Sequence, residues 1–96
     1  MTAYFVAVRN SISDPDTFAT YGDLAGKSMA GHAITPLAVY GKTRATDGPA
    51  TESAVIIAFP TFEEAEAWYD SPAYQEALKL RLASGDYQTF IIQGVD

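Results

Sequence analysis

The stretch SAVIIAFPTFEEAEAWY, Ser53 to Tyr69, decides the fold. Its first seven residues are apolar on both parities: Val55, Ile57 and Phe59 point one way, and Ala54, Ile56 and Ala58 the other. A strand with one face in water alternates polar and apolar residues, so this pattern requires a sheet covered on both faces. The second half opens a helix. Thr61 and Glu64 form a T-x-x-E capping box. Glu63, Glu64 and Glu66 sit in the first turns, where the helix dipole favours negative charge.

Towards the C-terminus, Ser71-Pro72 breaks this helix and starts another, with Ser71 as N-cap, and Gly85 ends it. A last strand spans Tyr87 to Gln93, where Phe90 and Ile92 flank Ile91. Towards the N-terminus, a first strand covers Ala3 to Arg9 and is again apolar on both parities. Ser13-Asp14-Pro15 reads as a helix start, with Asp14 capping and Pro15 at the first helical position. Phe18, Tyr21 and Ala25 give that helix its apolar stripe. Gly22 and Gly26 weaken it by about 1 kcal/mol each, so it ends between Gly26 and Gly31. A second strand runs from about Pro36 to Thr43, and its proline favours a sheet edge. The polar stretch from Arg44 to Ser53 turns at Asp47-Gly48-Pro49.

The order is β-α-β-β-α(α)-β, the split βαβ or ferredoxin-like pattern of class α+β. It predicts a four-stranded antiparallel sheet with helices on one face. Those helices cover one apolar face and no segment remains for the other. The expectation is a twofold homodimer packed sheet to sheet, with an interface at or above roughly 2,000 Å² in total.

The 96 residues make a single domain, 1–96, with 48% hydrophobic and 19% charged residues, a globular composition. The absence of cysteine excludes disulfides, thiolate nucleophiles and cysteine-ligated metals, and one histidine excludes any site that needs two. No metal and no cofactor is expected. A net charge of −6 argues against nucleic acid and anionic membrane as partners. No targeting segment is visible, and the longest apolar run, Ala54 to Phe59, is far too short to span a bilayer. A cytoplasmic location is the expectation.

Phe59, Pro60, Thr61, Phe62 and Glu63, followed by Ala67, Trp68, Tyr69, Asp70, Ser71, Pro72, Ala73 and Tyr74, closely resemble the signature of the bacterial domain-of-unknown-function family thirteen-thirty. Arg81 matches an arginine that usually follows, and Phe18 and Tyr21 resemble paired aromatics of the first helix. The resemblance spans essentially the whole chain. It implies membership of the dimeric α/β-barrel superfamily, which includes antibiotic-biosynthesis monooxygenases, muconolactone isomerases and haem-degrading enzymes. The chain departs from the family where the second strand usually carries Arg-Gly-Gly: Val39, Tyr40 and Gly41 stand there. The haem-degrading members resemble one another in an Asn, a Trp and a helical His. Asn10 and Trp68 are present, but His32 is not on the second helix.

Five residues are candidates for ligand binding. Arg81 lies on the apolar stripe of Tyr74, Ala77, Leu78 and Leu82, where a guanidinium must find a carboxylate, a carbonyl or a ligand. The readings are a structural salt bridge or a grip on an anion. Trp68 and Tyr69, at helical spacing, are core or pocket wall. His32, in the connection from the first helix to the second strand, is an exposed loop residue or a proton carrier. Tyr40, placed on the second strand, has a hydroxyl that needs a partner if buried. Ser71 is a cap, since no nucleophile elbow surrounds it. Two functions fit. One is a small-molecule binder, with an anionic or carbonyl-bearing ligand in a cleft between sheet and helices, as a cofactor-independent enzyme. The other is a non-catalytic dimeric scaffold or ligand-binding protein with a filled core.

Overall fold

A computed structural model describes residues 1–96. The elements are β1 (Ala3–Ile12), α1 (Pro15–Ser28), β2 (Thr35–Val39), β3 (Ser53–Phe59), α2 (Phe62–Tyr69), α3 (Pro72–Ser84) and β4 (Gly85–Gln93). The strands form one antiparallel sheet in the order β2-β3-β1-β4. This is the expected ferredoxin-like topology, with the proline-bearing β2 at an edge. No helix is long and apolar enough to cross a membrane.

Each helix starts where its capping residue directs. The Asp14 carboxylate accepts from the Thr17 N–H (3.1 Å), the Thr61 hydroxyl from the Glu64 N–H (3.1 Å) and the Ser71 hydroxyl from the Tyr74 N–H (3.3 Å). α1 ends at Ser28, inside the window its glycines set.

Three boundaries differ from expectation. β1 continues past Arg9 to Ile12 after a register shift between Arg9 and Ser11, and β4 starts earlier, at Gly85, to pair with those extra residues. A bulge lets a strand resume pairing after one irregular residue, which apolarity alone does not signal. β2 spans Thr35 to Val39 and does not reach Thr43. Tyr40, expected on that strand, lies just beyond it at φ 51°. A left-handed residue turns the chain out of the extended path, so the ladder stops there.

The sheet's two faces have different fates. Ala3, Phe5 and Ala7 of β1 and Ile57 and Phe59 of β3 are buried with Tyr21, Ala25, Ala65, Trp68, Tyr74 and Ala77 of the helices. On the opposite parity, Tyr4 pairs with Ala58 and Ile92, and Val6 pairs with Ile56 and Phe90. Phe90 is 44% exposed and Ile92 51%. The far face of the sheet is therefore apolar across three strands.

Gly85 joins α3 to β4 in extended backbone that any residue adopts (φ −172°), so its need for glycine is spatial. A β-carbon there would lie 2.5 Å from the Ser11 carbonyl oxygen, where β1 and β4 meet. Gly85→Ala is expected to push the strand ends apart and lower unfolding stability by about 1–3 kcal/mol. An unchanged urea midpoint would show that the junction yields without cost.

Candidate functional site

α1 stands over the β2–β3 side of the sheet and encloses a cavity of about 200 Å³. Its wall is apolar: Phe18, Met29, Val39 and Ile57 contribute to it, with two phenols, Tyr21 and Tyr40. Both hydroxyls are held from behind. Tyr21 shares a hydrogen bond with Tyr74 of α3 (3.1 Å), and Tyr40 shares one with Tyr87 of β4 (2.8 Å). Four residues far apart in sequence thus meet beneath α1.

Two arginines sit among these rings. Arg9 has the same β1 parity as Ala3, Phe5 and Ala7, so it enters the helix-covered side of the sheet. Its guanidinium carbon lies 4.5 Å from the Tyr40 ring centroid and 5.3 Å from that of Phe18. Its Nε is 3.1 Å from Glu52 Oε1, but the N–H is not aimed at that oxygen and makes no hydrogen bond. Arg81 lies 5.0 Å from the Tyr87 ring centroid. It is 3% exposed, and its Nε is buried with no hydrogen-bond partner.

No carboxylate pairs with Arg81; the ion pairs of the chain are Arg9–Glu52 and Lys79–Glu76. The salt-bridge reading of Arg81 is corrected on that point. The carboxylates at the helix starts, Asp14, Asp16, Glu63 and Glu64, are exposed, so none reaches this depth. Arg81 instead lies against the Tyr87 ring, and its charge acts on the Tyr21 and Tyr74 hydroxyls.

Burial pushes the hydroxyls of Tyr21, Tyr40 and Tyr74 above the ordinary tyrosine range. At Tyr40 the hydrogen bond to Tyr87 adds to the rise. At Tyr74 the charge of Arg81 opposes it. These phenols are therefore protonated at neutral pH. They donate hydrogen bonds and cannot serve as bases there.

The five candidate residues do not share one cavity. Tyr40 and Arg81 belong to this cluster. His32 lines a separate groove of about 100 Å³ with Gly31, Phe59, Glu64 and Ala67. Tyr69 lies on an open recess of about 320 Å³ between α2 and β4, beside Phe62, Glu66 and Phe90. Trp68 is 2% exposed in the core, where its indole N–H donates to the Ser28 hydroxyl (3.1 Å), and it lines none of these cavities.

Arg9 and Tyr87 are members that sequence reading passed over. For Arg9 a signal existed: it continues the buried parity of an apolar strand, where a cation calls for a partner. For Tyr87 none did, because its contact with Tyr40 bridges 47 residues.

The family model described as a domain of unknown function (DUF1330) matches residues 2–95. No curated protein matches the chain. Among solved structures, RPA0582 of Rhodopseudomonas palustris, a protein of unknown function, is 18% identical with a TM-score of 0.73, over 99% of this chain and 83% of that one. A dimeric ferredoxin-like protein of unknown function from Thermobifida fusca is 16% identical with a TM-score of 0.64, over 98% and 92%. SnoaB of Streptomyces nogalater, a cofactor-independent oxygenase, is 13% identical with a TM-score of 0.65, over 99% and 94%. At these identities the likeness is one of fold.

Proposed function

This chain belongs to the DUF1330 family, and from that membership and the buried arginine cluster we propose that it is a homodimer whose protomers each bind a small anionic or carbonyl-bearing molecule between α1 and the β2–β3 side of the sheet. The observation that carries the reading is Arg81: a cation 3% exposed, with an unbonded Nε and no carboxylate beside it. Burying an uncompensated charge is costly, and an anionic ligand lowers that cost. The ligand's apolar body occupies the cavity. Its oxygen meets the Tyr21 and Tyr40 hydroxyls, with the charge of Arg9 and Arg81 behind them.

Protonated phenols backed by arginines favour negative charge on a ligand oxygen. The matching chemistry is to hold a carboxylate or polarise a carbonyl; no base lines the cavity, so a proton lost from a ligand carbon goes to solvent. In this reading Tyr40 is the hydrogen-bond donor of the cleft, and His32 belongs to another groove. That SnoaB, of similar fold, is a cofactor-independent oxygenase supports an enzymatic reading. A second reading, a scaffold without catalysis, is favoured by the filled core around Trp68 and Tyr74, where no cavity reaches the indole.

Dimerisation is part of the proposal, supported by the apolar far face of the sheet and by the dimeric Thermobifida fusca relative. A cytoplasmic location fits the cysteine-free composition, and the net charge of −6 disfavours nucleic acid as a partner.

The test is a thermal-shift screen of carboxylates and quinone-like compounds against wild type and Arg81→Ala. A ligand at about one hundred times its Kd stabilises by about 2.7 kcal/mol, several degrees in a domain of this size. The shift is expected in wild type and lost in Arg81→Ala. If no such compound moves wild-type melting, the binding reading fails.

A further inference from the structure

The cavity and the arginines are neighbours that do not touch: neither Arg9 nor Arg81 lines the apolar space under α1. Arg81 lies against the Tyr87 ring, and the wall between Arg9 and the cavity is Phe18 and Tyr40. Both line the cavity, and both carry the Arg9 guanidinium over their rings. The two rings meet edge to face, with centroids 5.6 Å apart, and both contact Tyr87 beyond.

The two halves of this wall differ in kind. Phe18 is set in α1, whose backbone holds it in regular helical geometry. Tyr40 is the one non-glycine residue with positive φ, at 51°. A side chain in that region carries strain, and such strain persists where surrounding contacts hold it. Here the Tyr40 N–H donates to the Ala54 carbonyl (2.9 Å) and Ser53 Oγ to the Gly41 carbonyl (2.9 Å), and the side chain adds the hydrogen bond to Tyr87, the Phe18 ring and the Arg9 cation. The position also lies past the last residue of an edge strand, ahead of Gly41, around which a β-carbon would meet nothing within 4 Å. Of the two wall residues, Tyr40 is the strained one beside open space, and with its backbone pinned its movable part is the side chain.

We propose that Tyr40 is the specificity-determining gate of this cleft: seated on Tyr87 and Arg9 it confines ligands to the apolar cavity, and swung aside it opens the cavity to Arg9, with Arg81 adding its charge from behind Tyr87. The ligand class that profits is an aromatic or alicyclic carboxylate. With the gate closed its oxygen accepts from the Tyr40 hydroxyl; with the gate open its ring still fills the space under α1, and its anion takes the place of that hydroxyl beside Tyr87 and pairs with the guanidinium fork of Arg9. A neutral compound of the same shape gains nothing from opening. This inference rests on the binding reading above.

The probes are 2-naphthoate and its uncharged amide, titrated against wild type, Tyr40→Gly, Tyr40→Asn and Arg81→Ala. Glycine and asparagine both tolerate positive φ, so the second variant keeps the test valid if the first folds poorly. The affinity ratio of naphthoate to amide is expected to rise about tenfold in both Tyr40 variants, the scale of one charge-assisted hydrogen bond to arginine. An unchanged ratio in both, with naphthoate binding still lost in Arg81→Ala, overturns the gate and leaves the site standing. Naphthoate binding that ignores Arg81→Ala, or no binding in any form of the protein, removes the site and the gate with it.

Discussion

Val6→Asp is expected to abolish the dimer at micromolar concentration. Val6 is central on the far face of the sheet, between Ile56 on β3 and Phe90 on β4. A sheet-to-sheet twofold brings both copies of this position into one interface. Each buried carboxylate left unpaired there costs about 3 kcal/mol or more. Two of them weaken association by roughly four orders of magnitude. Sedimentation is expected to show a dimer in wild type and a monomer in the variant, with a melting temperature that no longer rises with protein concentration. Ile92→Asp, at a side chain already 51% exposed within the protomer, tests the same face with little loss of internal packing. A wild-type chain that sediments as a monomer at micromolar concentration, with the far face of the sheet in water, would end the dimer proposal.

The sequence reveals the elements more fully than the site, for a physical reason. Helix starts are local events. Asp14-Pro15, Thr61 and Ser71-Pro72 each act on N–H groups within three residues, so the chain announces them. Strand apolarity on both parities is local too, and it showed that the sheet has two faces to cover. The candidate site is assembled from non-local contacts. Tyr21 reaches Tyr74 across 53 residues, and Tyr40 reaches Tyr87 across 47. No periodicity encodes such pairs. Arg81 stands out in sequence as a cation on an apolar stripe, but its lack of a carboxylate depends on where every acidic residue ends up. Tyr40 reads as a strand residue because nothing in Val39-Tyr40-Gly41 announces a tyrosine with left-handed φ; its N–H bond to the Ala54 carbonyl and its side-chain contacts hold it there.

Trp68→Ala is expected to cost about 3–5 kcal/mol of unfolding free energy, a large share of the roughly 5–15 kcal/mol that holds a domain together. The indole is 2% exposed and packs on four rings: Tyr74 at 4.2 Å between centroids, Phe5 at 5.3 Å, Phe59 at 5.5 Å and Tyr69 at 6.4 Å. Truncation leaves a cavity where the sheet, α2 and α3 meet, and the rings around it cannot all close in. The polar edge adds a second constraint. The indole N–H donates to the Ser28 hydroxyl, which in turn donates to the Ala25 carbonyl at 2.6 Å. Ser28→Ala strands that N–H in the core and costs about 1–3 kcal/mol. In a Trp68→Phe background the same serine change is expected to cost less, because no indole N–H remains to be stranded. That non-additivity in urea unfolding identifies the bond. Trp68 is the only tryptophan, so its fluorescence follows Ser28→Ala unfolding directly, while circular dichroism serves the Trp68 variants. The same variants decide what Trp68 is for. As a core residue, Trp68→Phe lowers stability and leaves the Arg81-dependent thermal shift in place. Loss of that shift in a folded Trp68→Phe protein would instead put the indole in the ligand site.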